Sequence, residues 1–317
     1  MKSQQKKKQK QQQKYTNLKY FLKYFEPTDK ALHIDLNSNS IGNEDLSSLG
    51  KVLSTYKDLQ TLVLWLRHNC IKQEGLSNFT QSLTKCREIK QFTLLYSRNI
   101  FELQTVQLLS QLIANLVNLQ TLNLDLAQFQ SPNNYQFNEN DATFLSSALE
   151  KLTNLQSLKL QLNSCKLSNE KTRILASALK NLRNLKQLNL DLEFNQIGNE
   201  GLSSLAQSFN FENLSTLKLY LRDNKFGLVG LQNLCYGLQQ CQNLTFLILD
   251  LRNILPYNHF EDEQAISLSS ALIQCLNLIN FELFMKLSNN KRSLRAVKTN
   301  INKIKFLTLK KLHFQNY

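Results

Sequence analysis

Proline and glycine are scarce in this chain, at 3 and 8 of 317 residues, so its loops are expected to be few and tight. No stretch approaches the roughly 18 uncharged apolar residues of a membrane-spanning helix. The opening residues, MKSQQKKKQKQQQK, contain no apolar run, so they do not read as a secretory signal. The six cysteines include no CxxC pair and are expected to be reduced thiols in the cytosol or nucleus. Motifs of chemistry are missing as well. There is no Gly-rich phosphate loop, no GxSxG, no HExxH and no kinase HRD or DFG motif. The histidines His33, His68, His259 and His313 are too scattered for a metal-ligand motif, and nothing sets a nucleophile or base beside the acids. These absences argue against an enzyme, a cofactor or a bound metal.

Acid is missing from both ends. Residues 1–14 carry six Lys and residues 286–317 carry nine Lys plus Arg, with no Asp or Glu in either. Setting these aside leaves 23 basic residues against 24 acids, so the net charge of +14 belongs to the ends and the body is nearly neutral. Two readings of the Lys/Gln-rich tail 1–14 stand side by side. It is a solvated, disordered segment, or its KKKQK cluster serves nuclear import or anion binding.

What the chain does have is a repeat. In NLKQLNLDLEFNQIGNEGLSSLAQSF, Leu185, Leu188, Leu190 and Leu192 lead to Asn195, Ile197 and a turn at Gly198. Leu202, Leu205 and Phe209 then follow at helical spacing. Period two followed by period three-to-four is a strand, a turn and a helix. The first apolar position recurs at Leu59, Ile89, Leu119, Leu155, Leu185, Leu214, Leu244 and Leu278, mostly 30 residues apart. Strands are therefore expected around Ile34, Leu64, Leu94, Leu124, Leu160, Leu190, Leu219, Leu249 and Leu283, with a last one at Phe306 to Leu309. One such unit cannot bury enough apolar surface to stand alone, so the units must stack. Strands spaced at about 4.8 Å and helices at about 8–10 Å would bend the stack into a horseshoe.

The segment DLQTLVLWLRHNCIKQEGL, Asp58 to Leu76, resembles the leucine-rich repeat, and its long helical half resembles the ribonuclease-inhibitor-like class. The resemblance departs in one respect: an extra Leu-x pair, such as Leu66-Arg67, precedes the Asn and lengthens the repeat to about 30 residues. It implies an α/β solenoid with parallel strands on the concave face and helices on the convex face. The expected organisation is a tail at 1–14, a capping helix at 15–28 stopped by Pro27, repeats at 29–290 and a basic C-terminal cap at 291–317. Ile301, Ile304, Phe306, Leu307 and Leu309 are expected to close the core. The resemblance also implies a buried ladder from Asn39, Asn69, Asn99, Asn195 and Asn224, with Cys165 in the same place. Cys86, Cys241 and Cys275 recur three residues before a repeat's first apolar position and read as buried packing residues.

Two insertions, Gln128–Asn140 and Ile254–Glu263, lengthen their repeats and hold Phe129, Tyr135, Phe137, Tyr257 and Phe260. They are either tolerated loop growth or partner contacts on one rim. The outward strand positions bring together Trp65, Arg67, Asp125, Asp191, Tyr220, Arg222 and Asp250, the candidate partner-binding residues. Cross-strand pairing on a solvated sheet competes with binding for each of them. The functional expectation is a non-catalytic scaffold, monomeric and cytoplasmic or nuclear, that binds an unidentified protein partner. Three alternatives stay open. One is a GTPase-activating role of the Ran-regulator type, whose family usually adds an acidic tail where this chain is basic. Another is a binder of nucleic acid or anionic surfaces through the basic ends. The third is a repeat region that acts only beside a separate catalytic subunit.

Overall fold

Leucines at every second position give each repeat one buried edge, and a computed structural model shows what that edge builds. It describes residues 14–128, 133, 135–209, 212–252, 268–270, 277–286, 295, 298–300, 302 and 309–315. The Lys/Gln tail up to residue 13, the insertion at 254–263, Phe129, Cys275, Ile301, Ile304, Phe306 and Leu307 lie outside the described residues. Contacts divide the chain into two compact units, Met1–Tyr135 with Ser147–Leu155 and Gln136–Ser146 with Gln156–Tyr317.

The first unit begins with β1 (Lys14–Tyr15) and α1 (Leu18–Tyr24), followed by β2 (Ala31–Asp35), α2 (Asn43–Leu53) and β3 (Thr61–Trp65). It continues with α3 (Gln73–Leu83), β4 (Gln91–Leu95), α4 (Thr105–Asn115) and β5 (Thr121–Asp125). Its strands are parallel and paired in chain order without slippage, so that Leu32, Leu62, Phe92 and Leu122 form one file. Helices α2, α3 and α4 pack side by side along the other face. Helix α5 (Glu139–Glu150) follows in the chain.

The second unit holds β6 (Ser157–Gln161), α6 (Asn169–Leu179), β7 (Gln187–Asp191), α7 (Asn199–Gln207), β8 (Thr216–Tyr220), α8 (Leu228–Gln240) and β9 (Phe246–Asp250). It ends with β10 (Asn280–Lys286) and β11 (Leu309–Gln315). Again the strands are parallel and in chain order, with Leu158, Leu188, Leu217, Leu247 and Phe281 in one file. In both units the core is the space between strands and helices, filled by side chains such as Leu64, Leu94, Phe79, Leu190, Leu219 and Leu202, all at most 2% exposed.

All nine strand centres expected from the repeat are met. The last strand is displaced: β11 pairs Leu312 with Leu283, so the repeat steps 29 residues from Leu283 and does not centre on Phe306 to Leu309. Lys14, assigned to the tail, pairs with His33 at the edge of the sheet. The capping helix is also shorter than expected. Asn17 accepts the Tyr20 amide at 2.9 Å and starts α1 there, leaving Tyr15 to the strand.

The asparagine ladder forms, with one exception. Asn69 accepts the amides of Asn39 and Ile41 at 3.0 and 2.9 Å and donates to the carbonyls of Leu36 and Leu66 at 2.8 and 2.9 Å. Asn99, Asn195 and Asn224 repeat this geometry, each tying its own turn to the turn before it. Asn39 is exposed, because only the short β1 precedes its repeat, and its amide donates to Asn37. Cys165 is fully buried in its ladder place. The Cys86 thiol donates to the Leu53 carbonyl at 3.3 Å, and burial pushes its pKa up to about 11. Phe137 of the first insertion is fully buried, and Tyr135 lies 5.8 Å from Phe101, so these two serve packing.

Candidate partner-binding face of the strands

Side chains between the file leucines stand on the outer face of the strands. In the first unit Trp65 sits on β3 between Asp35 of β2 and Leu95 of β4. It is half-buried by its own chain. The His33 ring meets it edge-on at 4.8 Å, and the Lys14 ammonium lies 4.7 Å over the indole. Lys14 also pairs with Asp35 at 2.9 Å. Burial, then the Lys14 charge, pushes the His33 imidazole below its usual range, against the opposing pull of Asp35. The indole expected as an open anchor is thus partly covered by β1.

Arg67, two residues beyond Trp65, reaches over the intervening repeat to Asp125, with Nε 2.5 Å from Oδ2. Asp125 is 1% exposed and also accepts the Ser97 hydroxyl at 2.6 Å and the Ala127 amide at 3.0 Å. A carboxylate so enclosed needs every one of these donors to offset its lost hydration. Asp125 therefore holds Arg67 in place and presents no open acidic contact.

The second unit gathers the other four candidates. Asp191, Tyr220 and Asp250 lie side by side in register on β7, β8 and β9, with Phe284 of β10 next to Asp250. Tyr220 is half-buried between the two carboxylates. Burial and then Asp191 raise its phenol above the usual range. Asp250 is 1% exposed and is gripped by Arg252, whose Nε lies 2.9 and 3.1 Å from its two oxygens and whose terminal nitrogen binds it again. The Arg252 guanidinium lies 5.1 Å over the Phe284 ring, and that of Arg222 lies 5.2 Å over the Phe194 ring. Arg222 also bonds Asp223 at 3.1 Å.

One residue here escaped the sequence reading. Glu193 occupies, in its own repeat, the place that Arg222 and Arg252 hold in the next two. Burial, reinforced by Asp191 and Asp250 and opposed by Arg222 and Arg252, pushes its carboxyl up to about 7. The signal was its slot: any ionisable group two residues past the strand's last outward position faces the same row. Chemically this array offers an amphipathic phenol and two arginines backed by aromatic rings. Among the described residues no group of three or more His, Cys, Asp or Glu is placed to hold a metal ion, and no helix is long and apolar enough to cross a membrane.

The model of one family, described as Leucine Rich repeat, matches residues 182–206, the stretch from the turn before β7 into α7. No curated protein matches the sequence. Among solved structures the chain is similar to that of the yeast Rad7 and Elc1 complex, at 18% identity and a TM-score of 0.52, covering 89% of this chain and 62% of that one. It is also matched by an internalin (inlF) from Listeria monocytogenes, at 17% identity and a TM-score of 0.38, covering 94% and 88%. The actin-binding site 2 of leiomodin-1 matches at 14% identity and a TM-score of 0.38, covering 50% of this chain and 86% of that one. Strand register, buried asparagine ladder and the matched repeat together make the fold of this chain an α/β leucine-rich-repeat solenoid.

Proposed function

We propose that the chain is a non-catalytic interaction scaffold that binds a protein partner on the strand face of its repeats. The observation that carries this reading is the row around Tyr220. There a half-buried phenol lies in register between Asp191 and Asp250, next to two arginines set over aromatic rings. Tyrosine and arginine are the residues most often found as interface anchors, because each gives large contact area with a polar tip at modest entropy cost. Pairing with Asp223 and Asp250 fixes the two guanidinium groups before a partner arrives, which lowers the ordering cost of binding. The similar chain from the yeast Rad7 and Elc1 complex is part of a protein assembly, which supports a protein as the kind of ligand.

In this reading Tyr220 and Arg222 make contact, while Asp191 and Asp250 position them. Trp65, packed against His33 and Lys14, and the Arg67–Asp125 pair belong to a patch on the first unit. Its use requires a partner that accepts or displaces Lys14. The long helical half of the repeat supports the ribonuclease-inhibitor-like reading of the class, with tail, cap, repeats and C-terminal cap divided as expected from the sequence except that Lys14 and Tyr15 belong to β1 and the capping helix begins at Leu18.

Affinity capture with mass spectrometry tests the reading. The wild type is compared with Tyr220→Ala, Arg222→Ala and Trp65→Ala, each also followed by thermal melting. Loss of the same partners from Tyr220→Ala and Arg222→Ala, at an unchanged melting temperature, is expected. Equal recovery of partners by all three variants would remove the strand face from consideration.

A further inference from the structure

The turns after β2, β3 and β4 stack on one another in the first unit. Each places a residue in the left-handed region just before the ladder position: Ser38 at φ 55°, His68 at φ 56° and Arg98 at φ 60°. Backbone bonds tie these turns together, from the Ser38 amide to the Arg67 carbonyl at 2.9 Å and from the His68 amide to the Ser97 carbonyl at 3.1 Å. The frame is therefore fixed by the repeat itself. Along these turns lies an open cavity of about 430 Å³ lined by exposed Ser38, Ser40, His68, Cys70 and Arg98, with buried Asn69 and half-buried Ile100.

The donor set of this cavity is one-sided. No carboxylate lines it. The Asn69 amide is committed to the ladder. The Ser38 hydroxyl lies 3.2 Å from His68 Nδ1, and when the hydroxyl donates, the imidazole keeps its hydrogen on Nε2. Ser40 adds a hydroxyl and Cys70 an exposed thiol. Arg98 differs from the arginines of the strand face. Arg67, Arg222 and Arg252 are each neutralised by an aspartate, whereas Arg98 has no ion pair or side-chain hydrogen bond among the described residues. A guanidinium fork with all its donors unused, next to neutral donors and no acid, matches an oxyanion with several acceptor oxygens.

We propose that this cavity binds a phosphate monoester dianion. Arg98 supplies the bidentate contact, and the Ser40 hydroxyl and the His68 ring add donors from the two preceding turns. The cavity is larger than a phosphate group alone requires and leaves room for the carrier of that group, either a small ester or a phosphorylated side chain.

A phosphorus-31 line-broadening titration of the full chain with inorganic phosphate tests this. Saturable binding is expected, weakened about tenfold or more by Arg98→Gln and unchanged by Arg87→Gln, an exposed arginine outside the cavity. Carboxymethylation of Cys70 by iodoacetate, in which the thiolate carbon–sulfur bond replaces carbon–iodide and iodide leaves, fills the cavity without a substitution and should abolish binding. This second arm keeps the test open if Arg98→Gln fails to fold. Two esters then separate the sources: a phosphoseryl peptide that binds at least about tenfold more tightly than glycerol phosphate identifies a phosphorylated side chain, and equal binding identifies a free ester. The proposal falls if no saturable binding is seen or if binding survives both Arg98→Gln and the alkylation. It also falls if Arg87→Gln weakens binding equally, since the anion is then attracted by diffuse charge.

Discussion

At the scale of single residues, the ladder asparagines have the largest structural duty for their size. Asn195 accepts the Leu167 amide and donates to the carbonyls of Leu162 and Leu192, all within 2.9–3.0 Å and at 6% exposure. Removing its amide takes a bond from the buried Leu167 amide and Leu162 carbonyl, while the Leu192 carbonyl keeps its bond from Asn224, so Asn195→Ala is expected to cost roughly 1–3 kcal/mol in urea unfolding. Exposed Asn39 provides the comparison. Asn39→Ala should change stability by about 0.5 kcal/mol or less, and equal losses at both positions would contradict the ladder. Recurrence in the sequence pointed to this role, and it failed at Asn39 because recurrence does not reveal whether a neighbour is present. Less legible were the residues with left-handed backbone. Among the described residues eight non-glycine residues adopt it, from Ser38 to Asp223, while no glycine does. The usual glycine signal for such turns is therefore silent here, and the asparagine bonds that enforce the conformation only appear once the repeats are stacked.

Glu193 gives a residue-scale prediction with a sign. Its folded-state pKa, at about 7, lies above the 4.5 of a free glutamate. The folded state thus holds a proton that the unfolded state releases between these values. Stability from this group is complete below pH 4.5 and is lost as pH rises through 7. Glu193→Gln, which cannot ionise, should therefore raise the melting temperature relative to wild type more at pH 8 than at pH 5. Identical differences at the two pH values would show that the carboxyl is free to hydrate.

At the scale of elements, the strands were read from the sequence because period two survives every repeat. Helix starts carry a second device that went unread. Asn169, the first residue of α6, accepts the Gly198 and Gly201 amides at 2.7 and 3.1 Å, and Asn199 does the same for Gly227 and Gly230 at 2.7 and 3.0 Å. The N-termini of α7 and α8, whose first amides have no partner within the helix, are thus capped by the helix before them. The approach is so close that a Cβ on Gly201 would stand 2.9 Å from Asn169 Oδ1 and 3.0 Å from its Cα. Gly201→Ala should consequently destabilise by about 1–3 kcal/mol, despite the better helix propensity of alanine. A gain in stability would mean that the two helices can move apart without loss. Helix α2 begins without such help from an earlier repeat. There Asp45 reaches back to the Gly42 amide at 3.1 Å and caps its own helix. Asn43 likewise accepts the Lys72 amide, just before α3, at 3.1 Å, and sequence spacing alone does not separate Asn43, Asn169 and Asn199 from ordinary polar turn residues, since their partners lie 28 to 32 positions away.

For the molecule as a whole, composition located charge more reliably than it located the site. The neutral body holds rows in which Arg67, Arg222 and Arg252 are each matched to an aspartate. The outward slots were correctly aligned, yet two of the seven candidates, Asp125 and Asp250, are enclosed by those arginines at 1% exposure. Alternation tells which side of a strand a residue takes. It does not tell which of two long side chains closes over the other. The partial covering of Trp65 by Lys14 was equally hidden, because a two-residue strand within a polar tail carries no pattern of its own.

The direction of the ladder bonds has a consequence for synthesis. Asn69 completes the turn that holds Asn39 and Ile41, and Asn195 completes the turn at Leu167. Each turn tied in this way therefore waits for an asparagine 27 to 30 residues later in the chain. On the ribosome, where N-terminal segments fold first, the newest repeat emerges with open amides and closes only when its successor has been translated. Between such repeats the growing chain carries an unfinished turn at its leading end, and a nascent polypeptide paused there would expose that turn to water and to chaperones until elongation resumes.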